Sequence, residues 1–299
     1  MGGLGPADAE GRYRRPAPAF AALPPLPVDA AAAGSHQLIV GRSCPWAHRA
    51  WLVWRLRGLE ESVGLLVVEP DPAAGRWRFT PPFAGCHTLR ELYRRSGAAA
   101  NAPATVPALW SQGQQRLVVN ESARLIEWLD LWPAPAGALQ LNPEALRPTI
   151  DAWRERLQGA VNDGVYRCGF ARTQAAYDEA ERDLFDTLAA VEAELTARGP
   201  WLCGERLTLA DVVLFPTLIR LELVYAPLFG VSRRPLWQLP ALWAWRQRFF
   251  ALPGVAATCF DAAWRNDYFG ALFPLRPSGI VPAAPALATL VGSEPPPGP

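Results

Sequence analysis

Cys44 is the side chain on which chemistry can be built. It stands in Gly41-Arg42-Ser43-Cys44-Pro45-Trp46-Ala47-His48-Arg49. Before it, Gln37-Leu38-Ile39-Val40 is an apolar run suited to a buried strand; after it, Ala47 to Gly58 carries apolar residues at helical spacing. Pro45 fits the first helical turn, where a missing N–H costs nothing. A thiol at such a junction faces unpaired backbone N–H groups and the positive end of the helix dipole, which favour the thiolate. That lowers its pKa and makes it nucleophilic near neutral pH. The competing reading is a buried cysteine that packs as a small apolar residue. Ala47 stands where a C-x-x-C motif would place a resolving thiol, so redox chemistry at Cys44 requires an external thiol. His48 lies one turn along the helix, placed either to support a thiolate or to pack locally. No histidine and cysteine spacing matches a zinc site, and Cys86-His87 is isolated.

The chain of 299 residues can bury one large core or two ordinary ones. Its formal charge of +1 gives no argument for a nucleic-acid partner. All 29 basic residues are arginine, a compositional bias and not a binding patch. Five scattered cysteines, Cys44, Cys86, Cys168, Cys203 and Cys259, do not form the framework of a small secreted domain. Reduced thiols in the cytoplasm are expected. No segment reads as an unbroken bilayer-crossing run, and no signal pattern opens the chain. A soluble protein with no membrane partner is the expectation.

Four regions position these residues. Residues 1–34, rich in alanine, proline and glycine, read as an extended or partly ordered arm. Residues 35–132 read as an α/β domain. Its strand and helix around Cys44 lead to a second strand at Val63-Gly64-Leu65-Leu66-Val67-Val68, a parallel unit. Glu69 to Ala104 reads as an insertion or long connection with a helix at Thr88 to Arg95. Thr105 to Trp110 and Arg116 to Val119 form a hairpin pair, and a helix follows from Glu121 to about Leu129. Pro107 is either an ordinary edge-strand proline or the site of a cis bond that turns Val106 toward the thiol. After a Pro-rich linker near Trp132, residues 143–275 read as all-helical, with windows at Pro143 to Val161, Gln174 to Arg198, Thr208 to Tyr225 and Leu239 to Ala251. Thr208-Leu209-Ala210-Asp211 is a capping box with a structural role. Residues 276–299 read as an extended tail.

A thiol on the first helix, a Val-Pro before the third strand and a helical second domain resemble the cytosolic glutathione transferases. Ser43-Cys44-Pro45-Trp46-Ala47-His48-Arg49, Thr105-Val106-Pro107, Asn120-Glu121-Ser122, Asn162-Asp163-Gly164-Val165-Tyr166 and Pro277-Ser278-Gly279-Ile280-Val281-Pro282 narrow the resemblance to the Xi class, the glutathionyl-hydroquinone reductases. The resemblance implies a thioredoxin-like α/β domain plus an all-α domain, glutathione as co-substrate, glutathionyl-quinone conjugates as substrates, no metal, and a homodimer. It assigns glutathione contacts to Trp77, Val106, Pro107, Glu121 and Ser122. Tyr166 and Tyr268 become catalytic, with Tyr225 as a further substrate contact. The implied reaction passes through a Cys44–glutathione mixed disulfide. Two departures stand out. Asn101-Ala102-Pro103-Ala104 lacks the family's arginine before Thr-Val-Pro, so that contact is missing or comes from Arg42 or Arg90; and Phe269-Gly270 follows Tyr268 where a second tyrosine is usual. An omega-like thiol transferase or dehydroascorbate reductase, and a non-catalytic carrier of apolar ligands with the same fold, stay open.

Overall fold

The structure, a computed structural model, describes residues 5–26, 34–73, 76–271 and 278–292. The chain forms two compact units: one comprises 17–140 and 253–263, the other 1–16, 141–252 and 264–299.

The first unit is built on a six-stranded sheet whose strands lie in the order 86–88, 76–83, 64–71, 36–41, 108–111 and 116–119. β1 (His36–Gly41) lies inside it, and Leu38, Ile39 and Val40 are wholly buried, as befits a strand covered on both faces. α1 (Pro45–Leu56) leads to β2 (Gly64–Asp71), which runs parallel to β1 with Leu38 opposite Leu65. Pro45 occupies the first turn of α1, as the sequence requires. The hairpin of β5 (Ala108–Ser111) and β6 (Arg116–Val119) pairs antiparallel with β1. α3 (Ser122–Leu131) packs against α1.

The stretch read as an insertion is part of this sheet. β3 (Arg76–Phe83) buries Trp77 and Phe79 and exposes Arg76 and Arg78, the alternation of a half-buried strand. Pro81 and Pro82 inside β3 hid it, because proline cannot donate to a ladder and argues against a strand. β4 (Cys86–Thr88) pairs with β3 and runs into α2 (Leu89–Arg95), where Thr88 and Glu91 form a reciprocal capping box.

In the second unit, α4 (Arg147–Leu157), α5 (Gly164–Gly169), α6 (Gln174–Arg198), α7 (Leu209–Leu218), α8 (Ala226–Phe229) and α9 (Pro240–Phe250) surround a core in which Phe215 stacks on Phe249 at 4.2 Å. Buried Asp211 accepts hydrogen bonds from the Leu202 and Thr208 N–H groups, the Thr208 hydroxyl and Trp245 Nε1. Its role is structural, as its capping-box pattern indicates. The Glu192 carboxylate on α6 accepts from the Ala241 and Leu242 N–H groups at the start of α9, a cap no local pattern reveals. One expectation needs correction: the helical run Leu209–Phe229 is long and apolar enough to cross a bilayer, with mean hydropathy 1.7. Of its most apolar window 78% is buried inside the fold, which is how a core helix accounts for such hydropathy.

The arm is seated along its described residues, and Ala21 bridges to Val119. Of the Pro277 to Pro282 motif, Pro277 lies outside the described residues; past it, a helical turn at Leu287–Leu290 ends the described tail.

Candidate active site

Cys44 is the N-cap residue of α1: its carbonyl accepts the His48 N–H at 2.9 Å, and no side chain caps the helix start. The thiol is half-buried and donates to the Val106 carbonyl at 3.3 Å. This is the placement expected from Pro45 and the apolar run before it: a thiol at the head of a helix, at the positive end of its dipole.

The segment that carries Val106 into β5 is held by side-chain hydrogen bonds. The Val106–Pro107 bond is cis. The Tyr93 hydroxyl donates to the Thr105 carbonyl at 2.6 Å, and Asn120 Nδ2 donates to Thr105 Oγ1 at 3.0 Å. Asn120 Oδ1 accepts the Phe20 N–H at 2.7 Å, so the arm joins the same network. Burial pushes the Tyr93 hydroxyl up to about 12 and keeps it a donor. Tyr93 escaped the sequence reading: on an amphipathic helix an aromatic reads as core, and nothing local shows that its hydroxyl reaches Thr105.

Glu121 is the N-cap of α3 and accepts the Arg124 N–H at 2.9 Å; Ser122, buried, opens the helix. A carboxylate there complements the helix dipole. Trp77 is buried in β3 with its ring over Gly41, where a Cβ would stand 2.6 Å from the indole. Glycine at 41 therefore admits the ring to the end of the strand that leads to Cys44. Arg42, on the turn between β1 and α1, is exposed, with its guanidinium 5.4 Å from the centre of the Phe260 ring; Arg90 is also exposed.

His48 is a structural residue. Its Nε2 lies 2.8 Å from Thr258 Oγ1, whose proton goes to the Val255 carbonyl at 2.7 Å. Nε2 must then carry the hydrogen. The imidazole ties α1 to the segment 253–263, which also sets Phe260 against Trp51 at 5.4 Å. Cys86 is buried in β4, and burial raises its pKa. Among the described residues no group of three or more His, Cys, Asp and Glu could hold a metal ion.

In the helical unit the three expected tyrosines meet. The Tyr166 hydroxyl lies 2.6 Å from that of Tyr268, and Tyr225 completes the group with its hydroxyl 3.4 Å from Tyr268. Phe229 packs on Tyr166, Tyr225 and Tyr268 at centroid distances of 5.5, 5.6 and 6.2 Å. Gly169 lets this happen, because a Cβ there would collide with the Phe229 ring. π-helical turns accompany all three: Leu221–Tyr225 ends on Tyr225, Asp267–Ala271 contains Tyr268, and Gln158–Asn162 precedes α5, which carries Tyr166. Such turns rotate the residues that follow and occur often at functional sites. Burial raises the Tyr268 pKa well above that of an ordinary tyrosine, so its hydroxyl stays protonated. Phe229 and the π turns were not legible in the sequence, since an apolar helix facing a core looks the same with or without one extra residue per turn.

Residues 43–132 match the family model for the glutathione S-transferase N-terminal domain, and residues 174–248 that for the C-terminal domain. Glutathionyl-hydroquinone reductase PcpF of Sphingobium chlorophenolicum is 36% identical over 262 residues, covering 85% of this chain and 83% of that protein. The glutathione-bound structure of YqjG, a glutathione transferase homologue from Escherichia coli K-12, is 32% identical with a TM-score of 0.78, covering 87% of each chain. The glutathione transferase Xi structure from Phanerochaete chrysosporium is 30% identical with a TM-score of 0.86, covering 94% of this chain and 95% of that one.

Proposed function

The chain belongs to the glutathione transferases, among their Xi-class members, and from that premise we propose that it reduces glutathionyl-hydroquinones to hydroquinones. The observation that carries the reading is the Cys44 thiol at the head of α1, 3.3 Å from the Val106 carbonyl. Cys44 thiolate attacks the sulfur of the bound conjugate. A Cys44–glutathione disulfide forms, the aryl carbon–sulfur bond breaks, and the electron pair left on the ring carbon takes up a proton. A second glutathione thiolate then attacks the mixed disulfide, releasing glutathione disulfide and the Cys44 thiolate. Electrons balance: the ring carbon is reduced and two glutathionyl sulfurs are oxidised.

The remaining residues divide binding and proton delivery. The cysteinyl backbone of glutathione pairs with Val106 beside Pro107, as an added strand pairs with a sheet edge. Ser122 at the positive end of α3 holds the γ-glutamyl carboxylate, and Glu121 pairs the amino group with the carboxylate oxygen not used for capping. Trp77 lines the same unit from β3. Arg42 supplies a cation for glutathione in place of the arginine missing before Thr105. Tyr166 and Tyr268 hold the ring oxygens and deliver the proton, with Tyr225 contacting the ring. The protein works in the cytoplasm as a homodimer without a metal; its five free cysteines fit a reducing compartment.

The test is anaerobic incubation with a glutathionyl-hydroquinone and glutathione, following free hydroquinone and the intact mass of the protein. Turnover with one glutathione on Cys44 is the expected result. An adduct without turnover replaces this reading by a general thiol transferase; the absence of both leaves a binding protein.

A further inference from the structure

We infer that the amino-terminal arm is a positioning element for Tyr166, with Tyr13 as its positioning residue; the inference rests on the reductase reading proposed above. Residues 5–16 fold as a small hairpin: Asp8 N–H donates to Arg12 O at 3.0 Å, Arg14 N–H to Pro6 O at 2.8 Å, and Ala7 bridges Tyr13. Gly11 turns it with a φ of +82°, a conformation that favours glycine, and a Cβ there would also stand 3.1 Å from Thr173 Cγ2.

This hairpin is fastened to the turn between α5 and α6. Arg172 N–H donates to Gly11 O at 3.0 Å, the Thr173 hydroxyl to Glu10 O at 3.0 Å, and Arg172 Nη2 to Gly5 O at 2.9 Å. Arg12 pairs with Glu179 on α6 at 3.0 Å. From that anchorage the arm touches both ends of α5. Arg15 reaches Asp163, the residue before the helix, at 3.2 Å, and the Tyr13 ring lies 5.3 Å from Phe170, the residue after it.

α5 has six residues, far fewer than a helix needs to hold itself in water, so outside contacts fix its position. It carries Tyr166, whose hydroxyl must stay 2.6 Å from that of Tyr268. Phe170 transmits the arm's contact: its ring lies 6.1 Å from Tyr166 and 5.4 Å from Phe229. The ion pair of Arg15 is half-exposed and contributes little by itself. The Tyr13 ring, seated on Phe170 with Gly5 beneath it (a Cβ at Gly5 would stand 2.5 Å from the ring), is the contact that bears on Tyr166.

The experiment compares wild type, Tyr13→Ala and Tyr13→Phe on two substrates: a glutathionyl-hydroquinone, and the mixed disulfide of 2-mercaptoethanol with glutathione, which needs Cys44 but no aromatic contact. Tyr13→Ala is expected to lower kcat on the conjugate about tenfold, the scale of a misplaced catalytic group. Its disulfide turnover is expected to stay within about twofold of wild type, and amide exchange over 164–170 to quicken. Tyr13→Phe, which keeps the ring, retains conjugate turnover. Equal losses on both substrates, or no loss on the conjugate, overturn the inference. A wild-type chain that turns over the disulfide and not the conjugate overturns the reductase reading instead, and unchanged exchange over 164–170 in Tyr13→Ala overturns the positioning role independently.

Discussion

At the scale of single residues, the proposed reaction asks Cys44 to lose its proton and Tyr268 to keep one. Cys44 stands at the head of α1, where no side chain caps the helix start, so a negative sulfur there sits at the positive end of the helix dipole. Cys44→Ala should lower hydroquinone release by about a thousandfold or more, since the sulfur that attacks the conjugate is gone, and abolish the glutathione adduct in the intact mass. Cys44→Ser should retain weak conjugation of glutathione to electrophiles, because a hydroxyl can still hydrogen-bond the glutathione sulfur. Tyr268 is wholly enclosed, and burial holds its hydroxyl protonated far above neutral pH. Tyr268→Phe should therefore lower kcat about ten- to a hundredfold by a factor that stays constant between about pH 6 and 9. A wild-type to mutant ratio that drifts across that range would mean Tyr268 titrates within it. The sequence announced Cys44 through its neighbours, strand before and proline after, whereas the meeting of Tyr166, Tyr225 and Tyr268 came only through resemblance, because residues so distant in sequence leave no periodic trace.

Elements place these residues by devices of differing legibility. β1, α1 and β2 follow from apolar periodicity, and α6 runs from Gln174 to Arg198, the window its spacing marks. β3 was hidden by its prolines, α5 by its brevity, and the cap that Glu192 gives α9 by distance in the chain. The Tyr93 clamp on Thr105 is of this hidden kind, and its pH dependence makes it testable. An unfolded tyrosine loses its proton near 10, while folded Tyr93 keeps its proton up to about 12. Between those values the unfolded chain binds fewer protons, so stability falls as pH rises, by about 2 to 3 kcal/mol from this group. Below pH 10 the full stability is present. Tyr93→Phe should cost about 1 kcal/mol at neutral pH by loss of the hydrogen bond, and should flatten the alkaline decline relative to wild type. Urea midpoints at neutral and strongly alkaline pH measure both effects; parallel declines in the two proteins would show that another group governs the alkaline limb.

For the molecule as a whole, composition and period marked an α/β part and a helical part, but not how the chain is shared between them. The arm contributes to both units, and 253–263 returns to the α/β unit, where His48 fastens it through Thr258. Such returns are set by single buried polar contacts that apolar patterning cannot encode. The tail is held in the same manner. Arg246, wholly buried, pairs with Glu222 at 2.6 Å and donates to the Leu290 carbonyl at 2.9 Å, while the guanidinium lies 4.6 Å from the centre of the Trp243 ring. Glu222 in turn accepts the Leu236 N–H at 3.0 Å. Removing one member of a buried pair leaves the other charged and unsolvated, so Arg246→Met should cost about 3 to 5 kcal/mol. It should also free the segment around Leu290 for cleavage by a broad-specificity protease, read by mass spectrometry. Adding Glu222→Leu removes the stranded charge and should recover part of that cost, leaving the Leu236 N–H as an orphan donor worth about 1 to 3 kcal/mol. The protease sensitivity near Leu290 should persist in the double variant, because its carbonyl still lacks the guanidinium. Stability and tail protection would thus come apart. If they recover together, the ion pair, and not the bond to Leu290, is what holds the tail to the helical unit.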